Sequence, residues 1–168
     1  MATDFKEKYK DHWVKGQRRE KLFKSFMEAQ GFRIITNGFM AMQVEYNQDY
    51  SDVAGIPDFK SYISNNPVYF EVTGTDNTYI TPGHNIWVRP DKIKYIVDNG
   101  FRGFIVHFLD GYNFLMRFID INAVDWPQVE VINPIIKGSV ETYYSIEPKF
   151  SISSEEIIGY IKGLKNVL

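Results

Sequence analysis

Gly55-Ile-Pro-Asp58-Phe and, thirteen residues after that aspartate, Val68-Tyr-Phe-Glu71-Val-Thr73 are the stretches on which the fold turns. Ile56–Ile63 and Val68–Thr73 both have strand character, and Ser64-Asn-Asn-Pro67 between them makes the pair a hairpin by composition. An ionised carboxylate in an apolar strand, as Glu71 would be, is costly unless something pairs with it. Two carboxylates on neighbouring strands can converge on one divalent cation. Mg²⁺ typically takes one or two carboxylates, several waters and substrate phosphate oxygens. Such a site can generate hydroxide and stabilise charge during phosphodiester attack.

Upstream, Leu22, Phe23, Phe26 and Met27 recur at helical spacing within Arg18–Gln30, and Gly31 stands where a helix C-terminal glycine belongs. The residues from Gly31 to Thr36 read as an entering strand, Met40–Tyr46 as a weaker one, and Asn47–Ala54 as a loop. Downstream, Gly74–Pro82 is a polar loop and Arg89-Pro90-Asp91 opens a second helix that closes at Asn99-Gly100. Gly103–Leu109 and Tyr112–Ile121 are β-rich runs joined by Asp110-Gly111, a short-hairpin signal. The order predicts an α/β fold, a mixed β-sheet flanked by helices. Residues 1–122 form the expected core. Residues 123–168 form an expected C-terminal β/α extension packed on the same domain. In it Val129–Ile136 and Val140–Ile146 are two strands around Lys137-Gly-Ser, and Ser153-Ser-Glu-Glu156 is a capping box for a last helix.

Across 168 residues, 44% are apolar and 24% charged, a globular profile. The absence of cysteine excludes a disulfide framework, thiolate zinc sites and cysteine nucleophiles. There is no apolar run long enough to span a bilayer and no signal-peptide pattern, so a soluble, cytoplasmic protein with no membrane partner is expected. Gly-x-Ser-x-Gly and Walker A patterns are absent, which leaves esterase and nucleotide-cofactor readings without support. Net charge is −2, but it is unevenly spread: Met1–Arg33 carries +4, Ile34–Val88 carries −5, Arg89–Arg102 carries +2 and the remainder −3. An acidic centre between basic segments suits a cation site flanked by phosphate contacts.

The spacing of Pro57-Asp58 and Glu71-Val-Thr73 resembles the PD-(D/E)XK nuclease signature, an acid after proline on one strand and acid-x-lysine on the next. The order of blocks is most similar to archaeal Holliday-junction resolvases. Lys15-Gly-Gln-Arg-Arg-Glu20, followed by the apolar-periodic helix to Gly31-Phe32, resembles that family's N-terminal helix. Val88-Arg-Pro-Asp-Lys-Ile93 resembles the segment after its active site, so that the likeness runs over about Lys15–Asn122. The resemblance implies a restriction-endonuclease-like fold and a Mg²⁺-dependent endonuclease acting on DNA, with Mn²⁺ able to substitute, working as a homodimer. It implies that Glu20, Asp58 and Glu71 hold the metal. Glu20 shares a helix face with Phe23 and Met27, which turns it inward.

Two features depart from the family pattern. Thr73 stands where the family has a lysine that orients the attacking water and stabilises transition-state charge. Loss of one preorganised donor commonly costs about 10²–10³ in rate, so either activity is low or another cation substitutes. Lys60, on the strand face of Asp58, is the first candidate, and Lys92 and Lys94 are others. The acidic sequence pI of about 5.9 also differs from the basic character usual in proteins that grip branched DNA. Lys15, Arg18, Arg89 and Lys92 are the expected nucleic-acid contacts, Arg89 because it precedes a helix N-terminus. His84 sits in a loop, His107 alternates in a strand, and no two histidines have metal-ligand spacing. The alternative, from another class, is a catalytically silent DNA-binding or assembly module that keeps the nuclease fold. Nothing in a two-carboxylate site discriminates RNA from DNA.

Overall fold

A computed structural model of the chain describes residues 2–36 and 56–164, with side chains from Val14 onward. The first helix, α1 (Ala2–Ala29), extends well upstream of the expected start. Phe23 and Met27 are fully buried. It stops at Gly31, whose φ of 89° lies in the left-handed region that glycine enters without a Cβ clash. The Phe32 N–H then donates to the Met27 carbonyl at 3.1 Å and the Gly31 N–H to that of Glu28 at 3.0 Å, which satisfies the last carbonyls. The possible strand Met40–Tyr46 and the loop Asn47–Ala54 lie outside the described residues.

The main sheet has six strands, in the order β1 (Ile35–Thr36), β2 (Phe59–Ile63), β3 (Asn66–Thr75), β5 (Arg102–Leu109), β6 (Leu115–Asp120) and β11 (Ile152–Ser153). β3 and β5 run parallel and every other neighbouring pair is antiparallel, so the sheet is mixed. β2 and β3 meet across Ser64 and Asn65, both at positive φ (50° and 67°), the backbone of a two-residue hairpin turn. α2 (Asp91–Asn99) is the crossover before β5 and closes at Gly100, φ 64°. β4 (Ile86–Val88), absent from the sequence reading, pairs with β10 (Tyr143–Ile146), which pairs with β7 (Glu130–Ile132) in a second, three-stranded sheet.

Two expectations change in detail. Asp110-Gly111 does not make a two-residue turn: five residues separate the paired Leu109 and Leu115, and Asn113 and Phe114 take positive φ (54° and 55°). The reason is docking on α1. Arg19 takes both oxygens of Asp110 (3.0 and 2.8 Å), and the Arg18 guanidinium lies 4.1 Å over the Phe114 ring. The two expected strands Val129–Ile136 and Val140–Ile146 are each broken. β7 and β10 join the second sheet, while β8 (Ile135–Ile136) and β9 (Ser139–Val140) form a separate tip. Pro134 has no N–H to extend the ladder, and its carbonyl instead accepts from Glu141 N–H at 2.9 Å.

Alternation along the strands sorts the core into two layers. One face carries Phe59, Phe70, Phe104 and Phe118 against Phe23 and Met27 of α1 and Ile157, Ile161 and Leu164 of the last helix, α3 (Ser154–Gly163) and its end. The other carries Tyr69, Ile105 and Ile119 against Ile93 and Ile96 of α2 and Ile86, Val88 and Ile146 of the second sheet. Residues after Ala123 therefore contribute to both layers and to an edge of the main sheet. The Ser153 hydroxyl accepts from Glu156 N–H at 3.3 Å, the cap that starts α3. No helix among the described residues is long and apolar enough to cross a membrane.

Because Ile157 is wholly buried against the first-helix layer, Ile157→Ala is expected to cost about 2–5 kcal/mol in a single cooperative urea transition. A separate early transition for the C-terminal segment would contradict the shared core.

Candidate active site

The β2–β3 register pairs Phe59 with Phe70, so Asp58 stands at the mouth of β2 across from Glu71, on the sheet face that looks toward α2. Pro57 precedes it, a residue that cannot serve in a central ladder and so suits a strand entrance. Asp58 is 7% exposed, Glu71 3% and Glu20, reaching from α1, 6%. The Asp58 carboxylate accepts the Val72 backbone N–H at 2.9 Å. Glu71 receives the Lys92 ammonium at 2.6 Å, delivered from the first turn of α2.

Electrostatics follow from that crowding. Burial pushes the Asp58 carboxyl well above its ordinary value; the charges of Glu71 and Glu20 add to the rise, while Lys92 and the Val72 N–H oppose it. Burial also raises Glu71, and Lys92 pulls it back. Lys92 itself is pushed up, chiefly by Glu71 and then by Asp58, and stays a cation across the working range. Asp58 and Glu71 thus meet the Lys92 ammonium in one buried cluster, with the Glu20 charge acting on Asp58.

Of the residues singled out in the sequence, Asp58, Glu71 and Lys92 are in one cluster, with Glu20 acting on Asp58 through its charge. Among the described residues no three His, Cys, Asp or Glu side chains stand ready-made as a metal cluster. Lys60 shares the face of Asp58, yet its ammonium lies 5.8 Å over the Tyr62 ring, and the cation on the acids is Lys92. Thr73 follows Glu71 on the same face, in register with His107 of β5. Lys15 pairs with Asp76 just past β3, and Arg18 stacks on Phe114. Arg89 is bound by Asp91 through two bonds (3.1 and 3.2 Å), so its guanidinium is held at the start of α2. His84 accepts the Thr81 N–H through Nδ1 at 2.9 Å, an interaction that shapes its own turn.

A cavity of about 1010 Å³ opens beside the cluster, between the C-terminal ends of β3 and β5 and the second sheet. Thr73, Arg89, Lys92 and His107 line it. The sequence places His107 in a strand without assigning it a role, and gives none to its neighbour Arg117. The signal was available as a polar residue interrupting two apolar strands at matched positions, but only the β5–β6 register shows that they match.

No protein-family model and no curated protein matches the chain. Among solved structures, the Holliday junction resolvase Hjc of the archaeal hyperthermophile Archaeoglobus fulgidus superposes with a TM-score of 0.51 at 13% identity, covering 84% of this chain and 98% of that one. D212, a nuclease from a fusselovirus, gives a TM-score of 0.47 at 16% identity, covering 89% and 92%. The likeness to the resolvase is one of fold, a mixed sheet flanked by helices.

An aspartate whose folded value is raised binds its proton more tightly in the folded state. The stability it lends is complete below the ordinary value near 3.8 and is lost as pH rises through the raised one. Asp58→Asn keeps an acceptor for Val72 N–H and removes that loss. In metal-free buffer at pH 7 the variant is expected to melt higher than the parent, with the gap closing toward pH 4; thermal melts across pH in EDTA check the sign.

Proposed function

We propose that this chain is a divalent-metal-dependent nuclease that hydrolyses DNA phosphodiester bonds as an endonuclease. The observation that carries the reading is the pair Asp58 and Glu71, buried on one face of adjacent strands with the Lys92 ammonium on Glu71. Hard carboxylate oxygens are the donor set that suits Mg²⁺ or Mn²⁺. Asp58 and Glu71, helped by Glu20, would hold the ion. When bound, it supplies a Lewis acid and a lowered pKa for an attacking water.

The chain's own residues do the rest. Lys92 remains protonated beside Glu71 and places a fixed positive charge at the site, the part the family pattern assigns to the position that Thr73 occupies here. Thr73 offers a hydroxyl at the cavity wall without charge. The Arg89 guanidinium, fixed by Asp91 at the start of α2, can meet a phosphate at the rim. The fold shared with a Holliday junction resolvase supports branched DNA as one substrate to try, and a homodimer is the assembly that the sequence resemblance implies. Thr73 alone would favour a silent binding module; the migrated cation on Glu71 argues for activity.

Purified protein with Mg²⁺ or Mn²⁺ is expected to cut at least one of supercoiled plasmid, linear duplex, single strand, four-way junction or RNA. Asp58→Ala and Glu71→Ala should abolish cutting, Lys92→Ala should lower the rate by about 10²–10³, and Lys60→Ala should leave it near the parent. Folded protein that cuts none of these substrates in either metal would replace the nuclease with the binding module.

A further inference from the structure

One step along the sheet from the acids, on the same face, the apolar pattern breaks. Thr73, His107 and Arg117 lie side by side across β3, β5 and β6, where the preceding row is Glu71, Ile105 and Ile119. His107 is 5% exposed and Arg117 6%. A guanidinium has no acceptor. Its contact with His107 Nδ1 at 3.4 Å therefore needs a lone pair there, which puts the imidazole proton on Nε2. Burial and then the Arg117 and Arg19 charges push His107 down to about 3, so the ring is neutral and its Nε2–H is a permanent donor. His107 lines the cavity, and no acceptor for that N–H is found among the described residues.

Arg117 is the second anomaly. Arg19, Arg89 and Arg102 each hold an aspartate. Among the described residues Arg117 has only the Pro82 carbonyl at 3.0 Å and the imidazole, and its buried Nε finds no partner there. A buried cation lacking a counter-charge is unfavourable by itself and is relieved by an incoming anion. The cavity over the row is open on the side of Thr73 and His107.

We propose that Thr73, His107 and Arg117 form an anion subsite that holds a phosphate of the substrate strand beside the one being cleaved. The inference rests on the nuclease reading for the identity of the anion. The His107 Nε2–H and the Thr73 hydroxyl donate to phosphate oxygens. Arg117 is a positioning residue: it fixes the imidazole tautomer and supplies positive charge from behind. The subsite lies roughly 7 Å from Glu71 along β3, two residues at the usual strand rise, so one strand can engage both.

The test uses the full chain and a labelled linear duplex in EDTA, which reads binding without cleavage. On duplex DNA the log–log dependence of affinity on salt has a slope of about 0.9 per phosphate neutralised. Arg117→Met is expected to flatten the slope by about 0.9 and to weaken low-salt binding by roughly tenfold, whereas Arg117→Lys keeps the slope. His107→Phe weakens binding at unchanged slope, and His107→Gln, which retains an N–H donor, recovers it. Cooperative melting establishes that each variant is folded. Should the buried substitutions prevent folding, ¹⁵N-histidine spectra of the parent chain decide: inorganic phosphate should shift the His107 Nε2–H resonance and chloride at equal ionic strength should not. An unchanged slope in folded Arg117→Met, or a resonance indifferent to phosphate, overturns the subsite. If the parent still cuts DNA in that case, the nuclease reading stands; if it neither binds nor cuts nucleic acid, both fall.

Discussion

Glu71 sits on a central strand with almost no solvent, and the Lys92 ammonium is the cation that meets it there. That contact joins the main sheet to α2 on the face that also carries Asp58. A carboxylate in this place without a partner would favour its neutral form or force the strand to open to water. Lys92 holds Glu71 directly and acts on Asp58 through its charge, while burial favours the neutral form of both acids. The surrounding architecture holds this cluster in place. Pro57 ends the ladder just before Asp58, the Val72 N–H fixes the aspartate, and the Phe23, Phe59 and Phe70 rings seal the opposite face.

The local features were legible because they are local. Apolar periodicity gave α1 and α2, Gly31 and Gly100 marked their ends, and Ser153 with Glu156 marked the start of α3. The strands around Asp58 and Glu71 followed from composition and a turn whose residues accept positive φ. What escaped depends on register and layer. β4 is three residues long and exists as a strand because β10, some sixty residues later, pairs with it. Asp110-Gly111 carries a tight-turn signature, but two arginines of α1 hold the loop in another shape.

The same division runs through the site. Asp58 and Glu71 could be placed together from one hairpin. Choosing between Lys60 and Lys92 could not be done from spacing: Lys60 is nearer in sequence and on the correct face, yet a lysine stem is long and turns toward Tyr62. Lys92 reaches Glu71 from the layer above, a relation that no strand period encodes. His107 and Arg117 meet for a comparable reason, since only the antiparallel β5–β6 register makes them neighbours.

β11 and α3 follow every other strand of the main sheet in chain order, yet Ile157 and Ile161 lie in the layer that Phe23 of α1 begins. Phe23 and Phe26 of α1 lie on Phe118, whereas Phe104 meets Tyr160 of α3, so the layer is completed only by the latest described helix. During synthesis, the sheet must emerge with part of that apolar surface still bare. Long-range closure of this kind slows folding, and the uncovered intermediate is the species most open to aggregation or capture by a chaperone. A chain interrupted before Ser154 would stay in that state, with its acidic cluster already encoded but the layer behind it unfinished.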